Sequence, residues 1–139
     1  ESWERRGCKE LCSRLTQKNR VVAFGFHPQV LDMDCSVQSY YDITGSGGDV
    51  YLVKKLAYFE EYLRWAGTEY IYVQAGYLAD QPRATQIIED MIAEGTLKDL
   101  TFEWGNMLAR VDLDHPFKEP DERLVQLFRD AYSMVKNGE

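Results

Sequence analysis

Histidine is scarce in this chain: only His27 and His115 occur among 139 residues. That rules out a histidine-rich metal centre, and no Ser-His-Asp or Cys-His arrangement can be assembled from the sequence. Cysteine is equally thin, at Cys8, Cys12 and Cys35. An odd count does not form a disulfide framework. Cys8 and Cys12 lie one helical turn apart and are expected to be small core residues, a bond from Cys35 to one of them being the alternative. No Cys-x-x-Cys pair supplies a zinc site, and neither a metal nor a cofactor is expected. No run approaches the roughly 18 to 20 apolar residues that span a bilayer, and no secretory leader pattern stands at Glu1. Basic clusters are missing too, beyond Arg5-Arg6 and Lys54-Lys55, and the net charge is −7. A nucleic-acid binder needs a basic face to displace counterions, so nucleic acid is not an expected partner.

What remains is a chain rich enough in apolar (45%) and aromatic (13%) residues to build a core. Its composition and length suit one domain, 1–139. Glu1 is not a methionine, so the chain is expected to begin inside a longer protein.

Period and punctuation give the elements. Residues 2–18 carry Cys8, Leu11, Cys12 and Leu15 on one helical stripe, stopped near Asn19. Val21 to Phe26 is a short apolar run and predicts a buried strand. Val37 to Ile43 predicts a second. Asp49 is a candidate N-cap after the Gly45-Ser46-Gly47-Gly48 loop, opening a helix to Ala66 with Leu52, Leu56, Phe59 and Leu63 inward. Gly67 suits its left-handed end. Tyr70-Ile71-Tyr72-Val73 is a third strand. Pro82 opens the next helix, Ile87, Ile88, Met91 and Ile92 face inward, and Gly95 closes it.

A hairpin turning on Gly105-Asn106 then sets Trp104 opposite Met107, Phe102 opposite Ala109 and Leu100 opposite Val111. Arg110 would reach Glu103 diagonally on the other face. Glu119-Pro120-Asp121-Glu122 starts a last helix with Pro at its first position. Leu124, Leu127, Phe128, Ala131 and Val135 face its core side. Alternating helices and strands predict an α/β fold of three layers. The expected sheet is mostly parallel with helices on both faces and a C-terminal antiparallel hairpin.

Few residues offer chemistry. His27 follows the first strand at its carboxyl end, where ligands gather in open α/β sheets. Gln74 and Tyr77 follow the third strand at the same edge, so the three could line a cleft; a structural loop histidine is the plainer alternative. Asp32-Met33-Asp34 resembles the Asp-x-Asp pair that holds a divalent ion on a nucleotide sugar, although a surface loop gives the same pattern. The glycine loop at Gly45 lacks any phosphate-binding fingerprint. Eight tyrosines fall between Tyr40 and Tyr77. Aromatic clusters stack on sugars or fill interfaces, and they also fill cores.

The order of motifs carries a resemblance. Gly67 to Val73 matches a helix end leading into a Tyr-hydrophobic-hydrophobic-Val strand. Gly95 to Leu97 matches a Gly-x-Leu step, and Glu103 to Val111 an E-x-G-N-x-L-x-x-V hairpin. With the early strand before His27-Pro28, these resemble the soluble C-terminal domain of bacterial multi-pass membrane glycosyltransferase-like proteins of envelope polysaccharide. The resemblance implies a non-catalytic accessory or recognition domain on the extracytoplasmic face of the membrane. Its implied partners are a glycan or lipid-linked sugar and the membrane part of the same polypeptide. Transfer chemistry would lie in the membrane loops. The alternative is a self-contained small-ligand or nucleotide-sugar-binding enzyme, its site at His27, Gln74 and Tyr77 with Asp32 and Asp34.

Overall fold

A computed structural model of the chain describes residues 20–24, 36–39, 55–74, 76–103 and 105–138. In chain order these form strand β1 (Arg20–Phe24), strand β2 (Ser36–Ser39), helix α1 (Leu56–Ala66) and strand β3 (Tyr70–Val73). A short 3-10 turn (Tyr77–Asp80), helix α2 (Pro82–Glu94), strands β4 (Leu97–Glu103) and β5 (Asn106–Val111) and helix α3 (Glu122–Gly138) follow. The strands make one mixed sheet in the order β2-β1-β3-β5-β4.

The α/β class holds, but the sheet is not mostly parallel. Only β2–β1 and β1–β3 run parallel; β3–β5 and β5–β4 are antiparallel. The C-terminal hairpin causes this. It inserts β5 directly beside β3 rather than hanging at the edge, so its two strands contribute half of the ladders.

Strand alternation divides the sheet into two faces. Val22 and Phe24 of β1, Ile71 and Val73 of β3, and Met107 and Ala109 of β5 share one face and one core cluster. All three described helices pack there, through Phe59 and Leu63, Ile88 and Met91, and Val125 and Phe128. The expected third layer is not among the described residues. The opposite face is nevertheless buried at Val21, Ala23, Tyr72 and Leu108.

Two helices end by the same device. Gly67 (φ 67°) follows α1 and Gly95 (φ 83°) follows α2, each in the left-handed region. The next residue is threonine in both. Thr68 N–H donates to the Leu63 carbonyl and Thr96 N–H to that of Met91, each at 3.0 Å. A strand follows each step, so Gly-Thr turns the chain from helix layer to sheet. The buried face of α2 is the expected one, with Ile87, Ile88, Met91 and Ile92 enclosed and Pro82 as its first residue.

The helix starts differ from expectation. Lys55 is extended (φ −139°, ψ 142°) and α1 begins after it; a helix unbroken from Asp49 to Ala66 does not form, and Asp49 itself lies outside the described residues. Periodicity at Leu52 and Leu56 cannot register a backbone break between them. At α3, Asp121 is the cap: its Oδ1 accepts the Arg123 N–H at 3.0 Å, so Pro120 precedes the helix instead of opening it. Leu127, expected inside, is 48% exposed, and Val125 is buried in its place. Around the helix Leu127 stands about 100° from Phe128 whereas Val125 and Leu124 flank it closely.

The hairpin keeps its predicted face and loses its predicted register. Glu103 pairs with Asn106, Phe102 with Met107 and Thr101 with Leu108, so the turn falls between Glu103 and Asn106. Gly105 (φ 80°) thus takes the second central position rather than the first. The pairing moves by two residues, which preserves alternation. Phe102 and Leu100 still pack on the core beside Met107, Ala109 and Val111. A bulge between Lys98 and Thr101 then restores Leu97 to the buried side. Asp99 sits in it at φ 55° and binds Arg110 Nε at 2.7 Å, where Glu103 had been expected. The helix over 2–18, Cys8, Cys12, Cys35, the Gly45 loop and Trp104 lie outside the described residues.

Candidate functional site

Strand order sets where a ligand crevice would form. β2 and β3 lie on either side of β1 and all three run parallel, so the order in which strands are added along the sheet reverses at β1. Such a switch point at the carboxyl ends of parallel strands leaves a crevice. Here those ends are Phe24 and Val73, which pair. Gln74 continues the ladder, its N–H donating to the Phe24 carbonyl at 2.8 Å.

Two expected site residues stand at this end. Gln74 is 2% exposed and Tyr77 8% exposed. Gly76 (φ 82°) turns the chain between them, and the Tyr77 N–H closes onto the Gln74 carbonyl at 3.1 Å. Tyr77 and Leu78 then belong to the core cluster. The two side chains are therefore brought to one sheet end and enclosed there. His27, Asp32 and Asp34 lie outside the described residues.

A different surface carries aromatic groups outward. The inward face of α1 is set by Leu56, Phe59 and Leu63. Its other side presents Tyr58, Tyr62 and Trp65, spaced by four and three residues, which places them on one stripe. Tyr62 and Trp65 lie with ring centroids 5.9 Å apart at 42°. Tyr62 is half-buried against the core, which raises its hydroxyl above the ordinary range. Trp65 is 81% exposed. Lys55 sits 5.7 Å from the Tyr58 ring centroid. One ring of the pair is thus anchored and the other free in solvent.

This stripe was within reach of the sequence. Once Leu56, Phe59 and Leu63 are assigned inward, helical spacing sends Trp65 the other way. Counting tyrosines alone passed over it.

Among the described residues no group of three or more His, Cys, Asp or Glu side chains is arranged to hold a metal ion. None of the described helices is long and apolar enough to cross a membrane. Comparison with protein-family models, with curated proteins and with solved structures found no match.

Proposed function

We propose that this chain is a recognition module that holds a glycan for a membrane glycosyltransferase-like protein, on the extracytoplasmic side, and carries no transfer chemistry of its own. The observation behind it is Trp65, an indole 81% exposed beside a second, anchored aromatic ring. Scattered exposed leucines need no explanation, but a solvent-facing tryptophan in an aromatic stripe is a candidate contact surface. The C–H-rich face of a pyranose removes its apolar area from water by lying on such a ring. Hydroxyl groups at the sugar's edge stay free for polar neighbours. The motif order from Gly67 to Val111 supports the family setting by resemblance.

A glycan array tests this. The chain should retain acidic or neutral envelope-type oligosaccharides, and Trp65→Ala should lose them while melting at the same temperature. Retention unchanged in Trp65→Ala, or no retention by the wild type, would remove the reading.

The switch in strand order at β1 favours a second reading, a small-ligand site beside Gln74 and Tyr77. Thermal shift with nucleotide sugars and divalent ions distinguishes it: a rise in Tm that Gln74→Ala abolishes would favour this reading over the first.

A further inference from the structure

The C-terminal end of α2 and the loop after β5 enclose a solvent-open hollow of about 300 Å³. Glu60, Glu94 and Thr96 line it against Leu113, Pro116, Phe117 and Pro120. Its wall is pinned in place. The Phe117 N–H donates to the Glu94 carbonyl and the Asp121 N–H to the Ala93 carbonyl, each at 2.8 Å. The Lys98 ammonium donates to the carbonyls of Gly95 and His115, bridging helix end and loop. The cavity is therefore preformed, with apolar walls at Leu113, Pro116, Phe117 and Pro120 facing two carboxylates and a hydroxyl, a make-up that suits a small ligand.

Its electrostatics are unbalanced. Burial raises the pKa of both carboxyls; the Glu94 charge raises Glu60 further, and Asp90 adds to Glu94. Arg64 attracts Glu60 but is itself paired with Asp114 at 2.8 Å. Lys98 is paired with Asp112 at 3.2 Å. Among the described residues neither Glu60 nor Glu94 has a side-chain hydrogen bond or ion pair. Glu94 is also the last residue of α2, so the negative end of the helix dipole adds to the same potential. A bare calcium or magnesium ion needs about six or more oxygens; beside the two carboxylates the lining adds only the Thr96 hydroxyl, which donates to the Met91 carbonyl at 3.3 Å, and the proline, leucine and phenylalanine side chains offer none. An organic cation satisfies both parts of the cavity.

We propose that the hollow binds a primary ammonium group carried on an alkyl chain. The ammonium lies between Glu60 and Glu94, and the alkyl chain runs along Leu113, Pro116 and Phe117. Neither Tyr62 nor Trp65 takes part, so this site stands apart from the aromatic stripe.

Amide chemical shifts of the whole chain, titrated with cadaverine and separately with pentanol, test it. Cadaverine should give saturable shifts at residues 113–120, and pentanol should not. Glu60→Gln and Glu94→Gln should each weaken cadaverine about tenfold or more, the worth of one charge-assisted hydrogen bond. Both variants should melt at or above the wild-type temperature, because each removes one of two repelling charges; weaker binding would then not reflect unfolding. Equal shifts with pentanol would overturn the proposal. So would cadaverine binding untouched by both substitutions, the absence of shifts at 113–120, or saturation of these residues by calcium with cadaverine inert.

Discussion

Replacing Gly95 by alanine meets two obstacles at once. The residue sits at φ 83°, where a side chain costs about 1–2 kcal/mol. A Cβ built there would also lie 2.6 Å from Phe117 Cγ and 2.7 Å from both Cδ atoms. Those atoms are the root of the ring, so a small rotamer change does not clear them. Retreat of the backbone would break the Phe117 N–H bond to the Glu94 carbonyl. Overpacking of this kind costs about 1–3 kcal/mol, so Gly95→Ala should lose about 2–5 kcal/mol in urea unfolding. Gly67→Ala is the internal comparison. Its φ is similar, but its Cβ would meet only the far end of the long Arg20 side chain, whose Nη1 at 3.1 Å donates to the Ala66 carbonyl and needs to give by a few tenths of an ångström, so mainly the conformational strain of about 1–2 kcal/mol should remain. In a Phe117→Ala background the Gly95→Ala penalty should fall to the Gly67 level. Equal losses at the two glycines, or no coupling between Gly95 and Phe117, would refute the reasoning.

Other outcomes follow from the same contacts. Lys98→Met strands the Gly95 carbonyl and unties the 112–118 loop, and should cost about 1–3 kcal/mol by denaturation. Asp112 is held at a pKa of about 2, against its ordinary 3.8, by hydrogen bonds from His115 and then Lys98. A depressed carboxyl stabilises the fold above pH 3.8 and loses that contribution as pH falls through about 2. Asp112→Asn should therefore flatten the loss of Tm between these limits, and an unaltered acid limb would argue against the pairing. Trp65→Ala, on an exposed helix face, should change stability by no more than about 0.5 kcal/mol; a large loss in calorimetry would mean that the indole serves packing.

Local signals were readable in the sequence and pairings between distant segments were not. Gly67 and Gly95 announce helix ends because a left-handed residue is a local requirement. Tyr70 to Val73 and the inward face of α2 follow from period alone. The hairpin shows the boundary: alternation identified which side chains of β4 and β5 face inward, yet glycine serves either central turn position, so register stayed open by two residues. The bulge at Asp99 left no mark, because Asp is an ordinary polar residue in an alternating strand. Insertion of β5 beside β3 depends on contacts across more than thirty residues, and the expectation of a mostly parallel sheet failed there. At the proposed aromatic surface, helical spacing contained the answer in Trp65. Glu60 and Glu94 are joined only by tertiary packing, and spacing gave no hint of them. Of the expected site residues, Gln74 and Tyr77 reach one sheet end as anticipated, but their burial depends on how the 3-10 turn folds inward after Gly76.

Glycan recognition through the aromatic stripe is tested most directly at the Trp65 indole N–H. Its resonance, assigned by its loss in Trp65→Phe, should shift saturably as envelope-type oligosaccharides are added, in step with the amides of Tyr62 and Tyr58. An indole signal that stays fixed while sugar binds elsewhere on the chain would contradict the account.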